Sequence, residues 1–145
     1  MTTSPSDPLP RIAHALEEAV RVLKRYTPGA VDADDQGGGD PVTEADRATD
    51  TLLRELLPEG DEGWLSEETV DDPIRLHKER VWIVDPLDGT REFVAGIPEW
   101  CVSVALVEEG RAARGLHGVI SIGSHRNRID LDPKSVRELG RFNRV

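Results

Sequence analysis

The sequence is poor in cysteine and in long apolar runs, and each absence excludes a class of protein. Cys101 is the single cysteine, so an internal disulfide framework is excluded and a reducing compartment is expected. No apolar run approaches the roughly 20 residues needed to cross a bilayer. The opening stretch, MTTSPSDPLPR, lacks the basic and apolar segments of a secretory signal. We therefore expect a cytoplasmic protein without a membrane partner.

Several well-known sequence motifs are also missing. There is no G-x-x-x-x-G-K-[ST], which excludes a P-loop, and no G-x-S-x-G, which excludes the nucleophile elbow of α/β-hydrolases. The four histidines do not have the spacing of zinc ligands. The chemistry of the chain must therefore be sought among its acidic side chains.

Acidic residues dominate most of the chain. The 145 residues have a formal net charge of −10, but residues 1–110 carry −15 and residues 111–145 carry +5. An acidic surface repels nucleic acid and membranes, so we expect neither as a partner. Solubility explains most of these charges. It does not explain acids at strand ends and helix starts beside glycines.

The apolar pattern predicts two helices followed by strands. Apolar residues three and four positions apart indicate helices over residues 10–26 and 43–57. Short apolar segments later in the chain predict strands at residues 64–65, 81–84, 101–107 and 115–122. This order favours an α+β fold in which two N-terminal helices pack on a largely antiparallel sheet.

Four acidic side chains lie where loops leave the predicted elements: Asp46, Glu67, Asp85 and Asp88. Mg²⁺ takes oxygen ligands, typically a few carboxylates completed by water and substrate phosphate. Asp85 and Asp88 could face one ion across a tight turn at Pro86, with the carbonyl oxygen of Leu87 as a neutral third ligand. Glu67 or Glu68, from the neighbouring predicted strand, is a natural bridging ligand.

The Gly89-Thr90 step could supply the other half of a site. If a short helix begins there, its first backbone N–H groups form an anion site. Gly89 permits close approach of a phosphate to the main chain, and the Thr90 hydroxyl could orient a water. Cations beside an anion site predict phosphoryl chemistry.

Each feature taken alone also has a structural explanation. Thr43 and Asp46 fit a capping box, so Asp46 alone is better explained as helix architecture. Glu67-Glu68 alone is typical of a solvated pair. Asp85-Pro86 and Asp88-Gly89 alone are ordinary turn sequences. The hypothesis of a site depends on the combination.

Three stretches resemble the motifs of a known family. WIVDPLDGTREF (residues 82–93) is similar to the central signature of the inositol monophosphatase family of Mg²⁺-dependent, lithium-sensitive phosphatases. DPVTEAD (residues 40–46) and WLSEET (residues 64–69) agree in order and spacing. Arg91-Glu92-Phe93 is more similar to the branch that hydrolyses adenosine 3',5'-bisphosphate. The resemblance implies the N-terminal half of a sugar-phosphatase-type fold.

The resemblance also implies metal ligands. Glu67, Asp85 and the carbonyl of Leu87 would hold a first Mg²⁺. Asp85 and Asp88 would hold a second. The implied activity is hydrolysis of a small phosphomonoester, such as an inositol phosphate or adenosine 3',5'-bisphosphate, by metal-activated water.

The remaining implied roles concern phosphate and water. Gly89 and Thr90 would bind the phosphate through backbone N–H groups. Asp46, hydrogen-bonded to the Thr90 hydroxyl, would help to orient and deprotonate the attacking water. Asp46, Glu67 and Thr90 are therefore the expected catalytic residues.

The resemblance ends before the chain does. Family members continue with a second half that supplies another Asp ligand, and the residues after Gly115 do not match it. We expect a flexible N-terminus at 1–9, a metal-binding part at 10–120 and a divergent basic tail at 121–145. The alternative to an active phosphatase is a truncated, inactive metal-binding remnant. A bare sheet edge would favour a homodimer or aggregation.

Overall fold

Two helices pack against a five-stranded sheet in the computed structural model, which describes residues 7–26, 33–34, 42–97, 99–109, 111–121 and 128–130. Helix α1 spans Pro8–Leu23 and helix α2 spans Glu44–Leu56. The α+β prediction, with two N-terminal helices on a sheet, is confirmed. Between the helices, strands β1 (Ala33–Asp34) and β2 (Val42–Thr43) form a separate antiparallel pair.

The apolar faces of both helices are buried, as their periodicity predicts. The buried α1 side chains include Ile12, Leu16, Ala19, Val20 and Leu23. Helix α1 begins two residues before the predicted start, because the Asp7 side chain accepts a hydrogen bond from the Leu9 N–H at 3.1 Å and proline suits a first turn. None of the helices in the described ranges has the length and apolar character to cross a bilayer.

The sheet has the strand order β3-β4-β5-β6-β7. Its strands are β3 (Gly63–Ser66), β4 (Arg80–Asp88), β5 (Cys101–Glu108), β6 (Arg111–Ser121) and β7 (Arg128–Asp130). The β3–β4 pair is parallel, since the connection between them, which contains a 3₁₀ helix at Pro73–His77, returns the chain to the same end. The other three pairs are antiparallel. The sheet is therefore largely antiparallel.

The structure corrects the predicted end of β4. The sequence predicts that the strand ends at Val84, but it continues to Asp88 with a break in register between Asp85 and Asp88. Asp88 still pairs with Cys101 of β5. Helix α3 (Thr90–Ala95) then begins directly after Gly89. The turn dipeptides thus shape an irregular strand end without stopping the strand.

Other predictions fall near the edges of the described residues. Strand β6 begins at Arg111 rather than at residue 115, and β7 pairs with it from within the segment predicted to be a tail. The rest of that tail and residues 1–6 lie outside the described residues, so the three-segment division stays a prediction. Self-association through a sheet edge also stays a prediction.

Candidate active site

Asp46 lies in the first turn of α2 and is fully buried. Its Oδ2 accepts hydrogen bonds from the Thr43 backbone N–H at 2.9 Å and from the Thr43 hydroxyl. These contacts complete the capping box. Its Oδ1 accepts from the Thr90 hydroxyl at 2.8 Å. The two interpretations of Asp46 are therefore compatible, because each uses a different carboxylate oxygen.

Thr90 is the first residue of α3 and joins α2 to the end of β4. Its Oγ1 lies 2.8 Å from Asp46 Oδ1 and 3.0 Å from the carbonyl oxygen of Leu87. A hydroxyl has one proton to donate, so these two acceptors share it. The contact between Asp46 and Thr90 is the one implied by the sequence resemblance.

Gly89 forms the junction between strand β4 and helix α3. Its φ of +90° lies in the left-handed region that favours glycine. A Cβ at this position would lie 2.6 Å from the carbonyl oxygen of Glu99. Glycine is therefore required for both the backbone conformation and the close approach of the segment that leads into β5.

Asp85 is a buried carboxyl group beside two others. It is 7% exposed, and its Oδ1 accepts the Leu87 N–H at 3.2 Å in an Asx-type turn. Burial raises the pKa of Asp85 well above its usual range, and a hydrogen bond to Glu67 and the charges of Glu67 and Asp88 add to this effect. Ionisation of Asp85 is therefore disfavoured at this position unless a cation offsets the charge.

Two neighbours share this electrostatic environment. Burial, followed by the charges of Asp46, Glu67 and Asp50, raises the pKa of Glu68 to about 7. The Cys101 thiol lies 3.8 Å from Asp88 Oδ2, and burial together with nearby carboxylates raises its pKa to about 12. Cys101 therefore remains a thiol at neutral pH.

The structure brings the predicted site residues into two groups. Hydrogen bonds join Asp46, Thr90 and Leu87. Glu67, Asp85 and Asp88 interact through a hydrogen bond and through charge. Among the described residues, no group of three or more His, Cys, Asp or Glu side chains could hold a metal ion by itself. The predicted ligand sets combine two carboxylates with other oxygen atoms, and they stay a prediction.

One acid close to this site, Asp50, is not among the predicted site residues. Asp50, one helical turn after Asp46, accepts hydrogen bonds from the hydroxyls of Ser66 and Thr69, the latter at 2.6 Å. These hydroxyls flank Glu67 and Glu68 in sequence. The spacing of four residues between two acids on α2 was the signal that could have identified Asp50.

Comparison with known proteins identifies relatives of this chain. A model of the inositol monophosphatase family matches residues 8–120. The chain is 39% identical over 110 residues to a histidinol-phosphatase of Mycobacterium tuberculosis, covering 72% of this chain and 41% of that protein. It is 46% identical over 83 residues to the 3'(2'),5'-bisphosphate nucleotidase CysQ of Salmonella typhimurium, covering 52% of this chain and 32% of that protein.

The fold also matches a solved structure. The extragenic suppressor protein suhB from Bartonella henselae superposes with a TM-score of 0.68 at 29% identity, covering 78% of this chain and 44% of the other. The chain therefore spans less than half the length of each of these three proteins.

Proposed function

Because the chain belongs to the inositol monophosphatase family, we propose that it is the metal-binding part of a Mg²⁺-dependent phosphatase that hydrolyses a small phosphate monoester. The names of both relatives indicate that they act on phosphate esters. The ester is histidinol phosphate for one and a nucleotide bisphosphate for the other. The observation that carries the proposal is the environment of Asp85, which is buried beside Glu67 and Asp88. Carboxylates packed this way are costly unless a proton or a cation compensates them.

The donor set suits Mg²⁺, which prefers carboxylate and carbonyl oxygens. Glu67, Asp85 and the carbonyl of Leu87 would hold one ion, and Asp85 and Asp88 would hold a second. Bound Mg²⁺ supplies charge neutralisation at the phosphate and lowers the pKa of water. In this proposal the cation would offset the charge that burial disfavours on Asp85.

The protein's own residues would position the reactants. The Thr90 hydroxyl proton is shared between Asp46 and the Leu87 carbonyl, so a lone pair of the Thr90 oxygen would accept a hydrogen bond from the attacking water. Asp46 would hold the proton as that water attacks. The backbone N–H groups of Gly89 and Thr90, at the start of a helix, would bind the phosphate oxygens. Asp46, Glu67 and Thr90 are the proposed catalytic residues.

Phosphate release tests this proposal. Histidinol phosphate, inositol 1-phosphate and adenosine 3',5'-bisphosphate are each incubated with the chain, with and without Mg²⁺. We expect Mg²⁺-dependent release from at least one of them. Asp85→Asn should abolish release, whereas Glu55→Gln, a similar loss of charge on the exposed side of α2, should not. Release that survives Asp85→Asn would contradict the proposed site.

A second candidate function is Mg²⁺ binding without hydrolysis. The observation that favours it is the share of each relative that this chain covers, 41% and 32%. The sequence resemblance also places one further Asp ligand in a half that the chain does not match. Calorimetric Mg²⁺ binding without phosphate release from any of the three esters would support this candidate over the first.

A further inference from the structure

We propose that Asp50 is a positioning residue whose carboxylate fixes the turn that carries Glu67, and so presents Glu67 to Asp85 for Mg²⁺ binding. The inference rests on the proposed function, because it concerns the proposed Mg²⁺ ligands. Asp50 itself is not proposed to contact the cation.

One carboxylate holds both ends of the turn. Asp50 Oδ1 accepts the hydroxyl proton of Ser66, the last residue of β3, and Oδ2 accepts that of Thr69 at 2.6 Å. Ser66 is 4% exposed. Hydrogen bonds to an ionised acceptor are shorter and stronger than those between neutral groups. Helix α2 is therefore attached to the first and last residues of this four-residue turn.

The bonds within the turn are weaker than this attachment. The Thr69 N–H reaches the Ser66 carbonyl at 3.4 Å, and the Glu68 N–H reaches the Ser66 hydroxyl oxygen at 3.3 Å. Both distances exceed the usual range for N–H···O hydrogen bonds. The Glu67 N–H also donates to the Val84 carbonyl, at 3.2 Å. Without Asp50 the end of the turn at Thr69 would keep the 3.4 Å backbone contact, while the Ser66 end would still be held by the pairing of β3 with β4.

The orientation of Glu67 depends on the turn. Glu67 is an exposed residue whose carboxylate meets Asp85, itself a carboxyl group. An exposed glutamate side chain has many rotamers, and holding it in one conformation costs entropy. A fixed turn keeps the pair together before the cation arrives, which reduces the conformational cost of binding. Helix α2 thus supports both parts of the proposed site, through Asp46 bonded to Thr90 and through Asp50 bonded to the turn that carries Glu67.

Mg²⁺ titration tests the inference without any substrate. Asp50→Ala should weaken Mg²⁺ binding about 10-fold to 100-fold, as is typical when a partner outside the ligand set is removed. Thr69→Val removes one hydroxyl from an exposed position and should weaken binding in the same direction by a smaller factor. Glu55→Gln removes a charge from the same helix away from the turn and should bind like wild type. Calorimetry gives the dissociation constants, and Mn²⁺ electron paramagnetic resonance gives a second count of bound ions.

The outcomes separate the two proposals. If wild type takes up neither Mg²⁺ nor Mn²⁺, the proposed function is overturned and this inference with it. If wild type binds Mg²⁺ and both Asp50→Ala and Thr69→Val bind with wild-type affinity, only the inference is overturned. A purely structural role for Asp50 would lower the melting temperature while leaving the Mg²⁺ affinity of the folded chain unchanged, and circular dichroism measures the folded fraction.

Discussion

The Thr90 hydroxyl donates a hydrogen bond to Asp46, with 2.8 Å between Oγ1 and Oδ1, although the two residues are 44 positions apart in the sequence. Asp46 belongs to α2 and Thr90 to α3, so the bond connects the helix layer to the segment after β4. Asp46 is fully buried. The same proton therefore serves the stability of the fold and the proposed orientation of water.

Two substitutions of Thr90 test the contribution of its hydroxyl separately from that of its side-chain shape. Thr90→Val keeps the shape but leaves the buried Asp46 Oδ1 without this donor, which should lower the free energy of unfolding by about 1–3 kcal/mol. Thr90→Ser keeps the hydroxyl and serves as the control. Urea unfolding at neutral pH measures both. The same variants should differ in phosphate release by about 100-fold or more. Equal stability and activity of Val and Ser variants would show that the hydroxyl has no role.

Two glycines distinguish backbone strain from close packing. Gly60 has a φ of +60° with no atom near an added Cβ, whereas at Gly89, with φ of +90°, the added Cβ would lie 2.6 Å from Glu99 O. Gly60→Ala should cost about 1–2 kcal/mol, the penalty of a left-handed conformation. Gly89→Ala should cost at least about 1 kcal/mol more, because a backbone oxygen must move. Equal losses in urea unfolding would contradict the close approach.

The two long helices were predictable because their signals are local. Apolar residues at helical spacing lie within each segment, and Thr43 and Asp46 form their capping box within four residues. The end of β4 was not predictable in this way. Asp85-Pro86 and Asp88-Gly89 are turn sequences, but the strand continues because Asp88 pairs with Cys101 of β5. The local sequence does not indicate which residue will pair with it across the sheet.

In the candidate site, too, local features were predictable from the sequence and long-range contacts were not. The acidic positions, Gly89 and Thr90 were identifiable from short motifs. The contacts that hold the site and the core could not be identified, because they join residues distant in sequence, 16 positions apart for Asp50 and Ser66 and 51 for Arg11 and Glu62. Burial of a charged side chain such as Glu62 depends on which elements pack together.

Glu62 is the centre of a buried ion-pair network. Its side chain is 6% exposed and lies 3.0 Å from Arg11 and 3.2 Å from Arg80, and it accepts the Trp82 indole N–H at 2.8 Å. Glu62→Gln would remove the buried counterion of Arg11 and Arg80, leaving them the more exposed Glu59 and Glu108, and should cost about 1–3 kcal/mol. Glu59 is 51% exposed and 3.5 Å from Arg11. Glu59→Gln, the control, should cost less than about 1 kcal/mol.

The Glu62 network also predicts a pH dependence. Burial opposes ionisation of Glu62, but hydrogen bonds from Arg11 and Trp82 outweigh it and lower its pKa below the ordinary 4.5. The group therefore contributes stability above the unfolded pKa, and this contribution is lost as the pH falls through the folded pKa. The stability difference between wild type and Glu62→Gln should shrink as the pH falls below 4.5. Urea midpoints measured across that range would contradict the network if the difference stayed constant.

Asp85 should be destabilising without a cation and stabilising with one. Its folded pKa lies above the ordinary 3.8 of a free Asp, first because of burial, so its stability contribution is lost as the pH rises above 3.8. Asn has the same shape and can still accept the Leu87 N–H. In a chelator at neutral pH, Asp85→Asn should therefore raise the free energy of unfolding by about 1 kcal/mol, as is common when a functional group is removed.

Adding Mg²⁺ should reverse the order of the two proteins. A ligand at 100 times its dissociation constant stabilises the folded state by about 2.7 kcal/mol, and only wild type should gain it. Asp61→Asn provides the control, since the Asp61 side chain is 91% exposed and lies outside the site, so it should respond to Mg²⁺ as wild type does. Thermal unfolding in chelator and in Mg²⁺ measures all three proteins. If Asp85→Asn gains as much from Mg²⁺ as wild type, the cation binds elsewhere and Asp85 is not its ligand.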